Sequence, residues 1–382
     1  MDGRDKPGHD GENDGAATGR MAHLMTPLEA ELRVLIATDG PIPVDRYMAL
    51  ALGHPRHGYY MTRDPLGVGG DFVTAPEISQ VFGELIGIWA ASIWQRMGSP
   101  SPVRLVELGP GRGTLMADIL RSAQSMAGFR AALDVHLVET SPLLAALQKE
   151  RLGAAHVTWH RGLDTVPGGA TILVANEFLD ALPVRQFVMI GTGWRERVIG
   201  IHEDRLAFGL APDPVPPALI PEPLRDAAEG AVAEICPAFD SLARELGECA
   251  ARHPLAALFV DYGHAETQMG ETLQAVKAHR FVPVLDDPGE ADITAHVDFA
   301  ALARAAEAHG LAATPVITQR DLLFRLGLQA RAEALAKANP DAFPALKHAV
   351  ERLIDPGPTG MGQMFKAITL ASGSPSRPAE AS

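Results

Sequence analysis

The sequence predicts an α/β fold built on an open, mostly parallel sheet, and three observations carry that expectation. An apolar run, Val103 to Val106, meets Glu107 and then glycines at every second position, Gly109, Gly111 and Gly113. A helix follows, because Met116, Ile119, Leu120 and Ala123 fall at i, i+3, i+4 and i+7. One βα unit later a second apolar run, Val135 to Val138, ends in another acid, Glu139, before Ser141-Pro142 opens a further helix.

A glycine turn at the carboxyl end of a strand lets a ligand lie against bare backbone, so a cofactor site is the natural reading. The dinucleotide pattern G-x-G-x-x-G would place its third glycine where Thr114 stands. The spacing here, G-x-G-x-G behind an acid, resembles motif I of class I S-adenosylmethionine-dependent methyltransferases. An acid at Glu139 can accept hydrogen bonds from both ribose hydroxyls, a device that NAD folds share. Taken alone, the turn also fits a dinucleotide enzyme or an α/β sheet with no ligand.

Composition sets bounds. The chain has 382 residues, 47% of them apolar, which fits either two domains or one α/β core with insertions. The formal net charge of -14 and the lack of a basic block argue against duplex nucleic acid, whose binding rests on phosphate neutralisation. An acidic protein suits a basic substrate. Cys236 and Cys249 are the only cysteines and form no C-x-x-C pair, so neither a disulfide framework nor a thiolate zinc site is expected. His54 and His57 carry helix-face spacing, but Pro55 and Gly58 indicate a loop with no neighbouring acid or Cys to complete a ligand set, so no metal is expected. No apolar run approaches the ~20 residues that span a bilayer.

In chain order, residues 1–24 have almost nothing to bury and read as a disordered leader, with Met21 or Met25 an alternative start. Residues 25–100 form an N-terminal helical region. Thr26-Pro27-Leu28-Glu29 opens its first helix with a Thr cap, proline in the first turn and an acid three residues on. A second helix, about Val44 to Leu52, leads into His54 to Tyr60. The segment Gly69 to Ser79 is rich in hydrogen-bonding groups and poor in packing groups, and reads equally as a connector or a lid over the cofactor.

The core, 101–372, takes strands at Val103 to Leu108, Asp134 to Glu139, Ala155 to Trp159, Thr171 to Asn176 and Leu255 to Asp261, alternating with helices. An insertion, 184–252, contains an antiparallel meander (Val184 to Ile190, Glu196 to His202, Arg205 to Leu210), a proline-rich linker (Pro212 to Pro223) and a helix from Leu224 to Arg252. A loop, Asp286 to His296, a helix from about Asp298 to His309, shorter helices and a strand, Phe365 to Ala371, complete the core. Residues 373–382 read as a disordered tail.

An open α/β sheet holds its ligand beyond the carboxyl ends of its strands. There the chain places Asn176-Glu177-Phe178-Leu179-Asp180, then Asp261-Tyr262-Gly263-His264, then Asp292, Thr294, His296 and Asp298. The first pair of acids reads as a capped, solvated turn or as a guanidinium clamp, since a guanidinium's fork of N–H donors matches carboxylates. Carboxylates can draw its charge away from one terminal nitrogen and align that nitrogen for methyl transfer.

At this point the chain resembles the MidA family, through P-x-x-G-Y-Y (Pro55 to Tyr60), G-D-F-V-T-A-P-E-I-S (Gly70 to Ser79), V-E-L-G-P-G-R-G-T-L (Val106 to Leu115), N-E-F-L-D-A-L-P (Asn176 to Pro183), V-D-Y-G-H (Val260 to His264) and A-D-I-T-A-H-V-D-F (Ala291 to Phe299). The resemblance runs from about Thr26 to Ala371. It implies a class I methyltransferase, Rossmann-like fold with a mostly parallel seven-stranded sheet and a β-meander/helical insertion on the substrate side. It implies an S-adenosyl-L-methionine-dependent protein arginine methyltransferase acting by symmetric dimethylation on a subunit of respiratory complex I. Gly70 to Glu77 tilts toward a segment that closes over the cofactor.

The expected cofactor residues are Asp71, Thr74, Pro76, Glu77, Glu107, Gly109, Gly111, Gly113, Glu139 and Asn176. Glu177, Asp180 and His296 are the expected catalytic residues, and Asn176-Glu177-Phe178 resembles the Ser-Glu-Trp opening of the substrate loop in other protein arginine methyltransferases. Ala75 departs from the family, whose members often carry Ser there. The acidic leader argues against mitochondrial import, so a cytoplasmic setting is expected. A non-catalytic complex I assembly factor and a small-molecule N- or O-methyltransferase stay open as alternatives, as does a homodimer.

Overall fold

A computed structural model describes residues 25–64 and 74–373. The leader, the tail beyond Gly373 and Asp71 within the lid segment lie outside the described residues. The main sheet has nine strands, seven of them along one continuous path: β1 (Val103–Leu108), β2 (Leu133–Val138), β3 (Val157–His160), β4 (Thr171–Asn176), β5 (Leu255–His264), β6 (Ala312–Ala313) and β7 (Phe365–Ala371), with the two-residue strands Val297–Asp298 and Ile317–Thr318 paired alongside β5 and β7. The order along the path is β3-β2-β1-β4-β5-β7-β6. The first five strands run parallel, while β7 enters antiparallel to β5 and β6 antiparallel to β7. The expected mostly parallel sheet is therefore present, its continuous path holding seven strands and two short ones lying beside it. The order reverses at β1 and β4, whose carboxyl ends face a crevice.

The strands are nearly continuous apolar runs because both faces of the sheet are covered. On one face the helices Gln80–Arg96 and Thr114–Ala123 bury Phe82, Leu85, Trp89, Met116 and Ile119. The helices Ala238–Ala250 and Phe299–Ala308 bury Phe239, Leu246, Phe299 and Leu302 on the other. The first two pack closely through Gly83 and Gly87. A Cβ at Gly83 would lie 2.5 Å from Asp118 Cβ, and one at Gly87 would lie 2.0 Å from Ser122 Oγ. This contact seats the helix that begins at the glycine turn.

The N-terminal helices, Pro27–Asp39 and Val44–Gly53, form a third cluster around Tyr47, Met48 and Tyr59. Thr26 caps the first by accepting from the Glu29 N–H at 3.1 Å, with Pro27 behind it. His54 and His57 do have an acid beside them. Glu31, one helix back in sequence but adjacent in space, lies 3.1 and 3.3 Å from their Nε2 atoms.

The insertion differs from expectation in two places. The meander is there, as Arg185–Ile190, Gly193–His202 and Arg205–Pro214, but 224–252 is not one helix. Val232–Ile235 is a strand paired with Arg185–Val188, and the helix begins only at Ala238. Gly230 at φ +79° and Pro237 break the alanine-rich pattern on either side of the strand. The proline-rich stretch is also more than a linker, since its Ile220, with Leu224 just beyond it, is buried beside Phe187 and Trp194. In the late region a hairpin, Gln274–Lys277 with Arg280–Val282, is followed by Asp292–Thr294, which pairs with its first strand. No Asn-Gly or Asp-Gly marks this hairpin. Its two-residue turn is Ala278-His279, both left-handed at φ 50° and 59°.

Gly83→Leu should lower stability by about 1–3 kcal/mol, since overpacking would force the two helices apart. Thermal or urea unfolding checks this, and an unchanged midpoint would show that the helix pair tolerates a wider spacing.

Candidate active site

The crevice is a cavity of about 640 Å³. The glycine turn forms its floor. Gly109, Gly111 and Gly113 all have positive φ (59°, 54° and 78°), a region that residues with a Cβ rarely adopt. A Cβ at Gly109 would lie 2.9 Å from the Phe178 ring, so the turn and the loop after β4 meet there. Gly109 and Gly111 line the cavity, whereas Gly113 starts the helix behind it. Both flanks of the segment 65–73 are tied to this turn: Asp64 takes a two-pronged bond from Arg112 at 2.7–3.1 Å, and Glu77 accepts from the Thr114 hydroxyl.

Glu107 and Glu139 stand at the ends of β1 and β2. Burial pushes the Glu107 carboxyl up to about 8, opposed by the Met116 N–H. Its Oε2 is buried with no partner among the described residues. Burial also raises Glu139, against hydrogen bonds from the Ser141 N–H (2.7 Å) and from Gln148. Sequence spacing alone does not single out Gln148. It is fully buried on the helix Pro142–Leu152, and its Nε2 donates both to the Gly111 carbonyl (2.8 Å) and to Glu139 Oε2 (3.0 Å). Trp159 donates to its Oε1 at 2.9 Å. This one amide locks the glycine turn to the acid at the end of β2. The signal was faint: a lone polar residue on an otherwise apolar helix face.

The loop after β4 supplies the other acids. Glu177 has φ +51°, strained for a residue with a side chain, and is held by its N–H on the Val260 carbonyl at 2.9 Å. Asp261, at 1% exposure, takes the next three amides on one oxygen: Phe178 at 3.0 Å, Leu179 at 2.8 Å and Asp180 at 3.3 Å. Its other oxygen accepts from the Tyr262 N–H at 2.9 Å. Burial and the neighbouring Asp180 and Glu177 carboxylates raise Asp261 well above the usual range, against those amides.

Glu177 Oε1 accepts from the Ala75 N–H (3.1 Å) and the Asn176 side-chain amide (3.0 Å). Burial and then Asp180 push its carboxyl up to about 7. Burial lifts Asp180 to about 6, against the Tyr262 hydroxyl. Asp180 Oδ1 and Asn176 Oδ1 are buried without partners among the described residues. Tyr60 donates to the buried Asp292 at 2.7 Å on the same wall.

Thr74, Pro76, Glu77, Glu107, Glu139, Asn176, Glu177 and Asp180 thus share one cavity. His296 does not line it. The strand Asp292–Thr294 ends before His296, whose N–H bonds Thr272 Oγ1. The ring lies edge-on to Tyr262, 5.6 Å between centroids, and lines a separate cavity of about 240 Å³ with His264 and Glu234.

A family model described as "Putative S-adenosyl-L-methionine-dependent methyltransferase" matches residues 85–317. The chain is 37% identical to the protein arginine methyltransferase NDUFAF7 homolog, mitochondrial, of Drosophila melanogaster, over 91% of this chain and 85% of that one. It is also 37% identical to the Homo sapiens protein arginine methyltransferase NDUFAF7, mitochondrial, over 91% and 83%. A crystal structure of a COG1565 superfamily member from Burkholderia thailandensis, bound to S-adenosyl-homocysteine, superposes with a TM-score of 0.79 at 30% identity, covering 93% of each chain. These relatives, named as mitochondrial, overturn the cytoplasmic setting inferred from the acidic leader. No helix among the described residues is long and apolar enough to cross a membrane.

Gln148→Leu keeps the volume but releases both the glycine turn and Glu139. S-adenosyl-homocysteine should then bind on the order of tenfold more weakly or worse by calorimetry. Unchanged affinity in the folded variant would show that Gln148 only fills space.

Proposed function

The chain belongs to this family of S-adenosyl-L-methionine-dependent methyltransferases, and we propose that the group it methylates is an arginine guanidinium of a protein. The observation that carries this reading is the lining of the cavity. Asp180 Oδ1 and Asn176 Oδ1 are buried acceptors with no donor among the described residues, beside Glu177, whose two hydrogen bonds there both fall on Oε1. A buried polar atom without a partner carries a free-energy penalty, so such a wall favours a ligand made of donors. A guanidinium presents five N–H donors and no acceptor.

The cofactor end fits its ligand on the same grounds. Glu107 Oε2 is an orphaned buried acceptor suited to an ammonium, the left-handed glycine turn leaves bare backbone facing the cavity, and Glu139 is positioned for hydroxyls. When bound, S-adenosyl-L-methionine supplies an electrophilic methyl group on sulfur.

The rest falls to side chains of this chain. Glu177 and Asp180 hold the cation and favour its charge on the nitrogens they touch, which leaves the remaining terminal nitrogen to attack. Asp261 fixes where those two carboxylates stand, so alignment is set before the substrate enters. Glu177, already raised to about 7, can take the proton the alkylated nitrogen sheds, at Oε2. Thr74, Pro76 and Glu77 are proposed to contact the cofactor, carried by the N-terminal helical region. The finer reading is symmetric dimethylation of an arginine in a respiratory complex I subunit, as the MidA resemblance implies; methylarginine mass spectrometry of those subunits with and without this protein addresses it.

Glu177→Gln keeps size and removes the charge, so methyl transfer should fall by ~10² or more while S-adenosyl-homocysteine affinity holds. The same change should stabilise the fold at pH 8. With its pKa raised from 4.5 to about 7, native Glu177 holds a proton that the unfolded chain has released, so its contribution is lost as pH rises through 7. The gain should be on the order of 1–3 kcal/mol at pH 8 and vanish near pH 4. Full transfer activity in the variant would remove Glu177 from the mechanism.

A further inference from the structure

The small sheet beside the cavity has two chemically different faces. Register sets Phe281 opposite Val276 and Val276 opposite Asp292, with Gln274 opposite Thr294. Directly opposed residues point to one side of a sheet, and residues two apart share that side. Gln274, Val276, Phe281, Asp292 and Thr294 all line the cavity. The alternate residues turn the other way: Ala275 and Ile293, each 1% exposed, and Val282 pack into the N-terminal core. One sheet face therefore runs continuously from Asp292, deep beside Tyr60, out to Phe281 at the mouth.

Phe281 is 76% exposed, the most exposed large apolar side chain among the described residues. It is held out by a left-handed Ala278-His279 turn, a conformation that disfavours side chains, and the hairpin is anchored by the Lys277–Asp287 ion pair at 2.9 Å. A single exposed apolar residue is ordinary. An aromatic ring at the open end of a face whose inner end is acidic has a narrower use.

We infer that this face docks the protein substrate, with Phe281 packing against an apolar side chain next to the arginine that enters the cavity. The inference rests on the arginine reading above and extends it to the sequence around the target. Charge complementarity selects the occupant, since the inner wall of Asp180, Glu177 and Asp292 calls for a cation. The face between that wall and Phe281 spans a few residues of extended chain. The substrate class is thus an arginine flanked by an apolar residue, not one in a glycine-rich or acidic stretch.

The test uses the full chain saturated with S-adenosyl-homocysteine and two fluorescent peptides, one with glycines flanking a central arginine and one with leucines. Anisotropy should show the leucine peptide bound about tenfold more tightly, the usual weight of one buried interface side chain. Phe281→Ser should bind the two alike, and Phe281→Leu should restore part of the preference; retained S-adenosyl-homocysteine affinity shows that each variant is folded. Methyl transfer from S-adenosyl-L-methionine to both peptides is followed in parallel. A leucine preference that survives in Phe281→Ser, or no binding of either peptide to the wild type, overturns the inference even if arginine is methylated. A Phe281-dependent preference without transfer to arginine supports the docking face and rejects the arginine reading. Dissociation of a wild-type dimer in Phe281→Ser, with peptide binding unchanged, overturns it in favour of a second copy of this chain.

Discussion

The Asp261 carboxylate is the constraint on which the site depends. It lies within β5, three residues before the strand's end, at 1% exposure, and its oxygens accept from the amides of Phe178, Leu179, Asp180 and Tyr262. Three consecutive N–H groups turned onto one oxygen form an anion-binding curve in the backbone. That curve fixes the loop after β4 and with it the left-handed Glu177. The loop in turn presses Phe178 against Gly109, so the two strand ends that bracket the crevice are set by one buried group. A sheet edge position for Asp261 would not do this; the parallel pairing of β5 with β4 brings its carboxyl end level with the loop it holds.

Burial then shapes the chemistry. Glu107, Glu139, Glu177 and Asp180 are all raised chiefly by desolvation, and each lines the same cavity. Such a set destabilises the empty fold near neutral pH, because each carboxylate would rather be hydrated. On the function proposed above, a donor-rich ligand would reverse that by satisfying Glu107 Oε2 at one end and Asp180 Oδ1 at the other, which would return both groups toward the ionised state. Stability given up in the free protein would then be recovered as affinity for a cation.

Much of this was legible in the residues. The strands read correctly because β1, β2, β4 and β5 are largely buried and so appear as apolar-rich stretches, broken only by single polar residues such as Arg104 and His136. The acids Glu107, Glu139 and Glu177 were placed because strand ends are fixed once strands are. Gln148 escaped because its partners, Gly111, Glu139 and Trp159, come from three separate elements. The hairpin at Gln274–Val282 escaped because its turn uses Ala-His where the chemistry of a tight turn favours Asn-Gly. His296 misled for a related reason. Period two places it with Asp292 and Thr294, but the strand stops before it and its ring packs edge-on against Tyr262 and lines the separate cavity.

The central claim is that two buried carboxylates, once ionised, hold a guanidinium in line for methyl transfer. Its most direct test is kcat/KM against pH for one peptide carrying either arginine or lysine at the target position, with cofactor saturating. Transfer should be confined to the arginine peptide, rising between pH 6 and 8 as Asp180 (about 6) and Glu177 (about 7) lose their protons and levelling above that. Lysine must shed a proton of pKa ~10.4 before it can attack, so a lysine-selective rate still climbing through pH 9 would contradict the account.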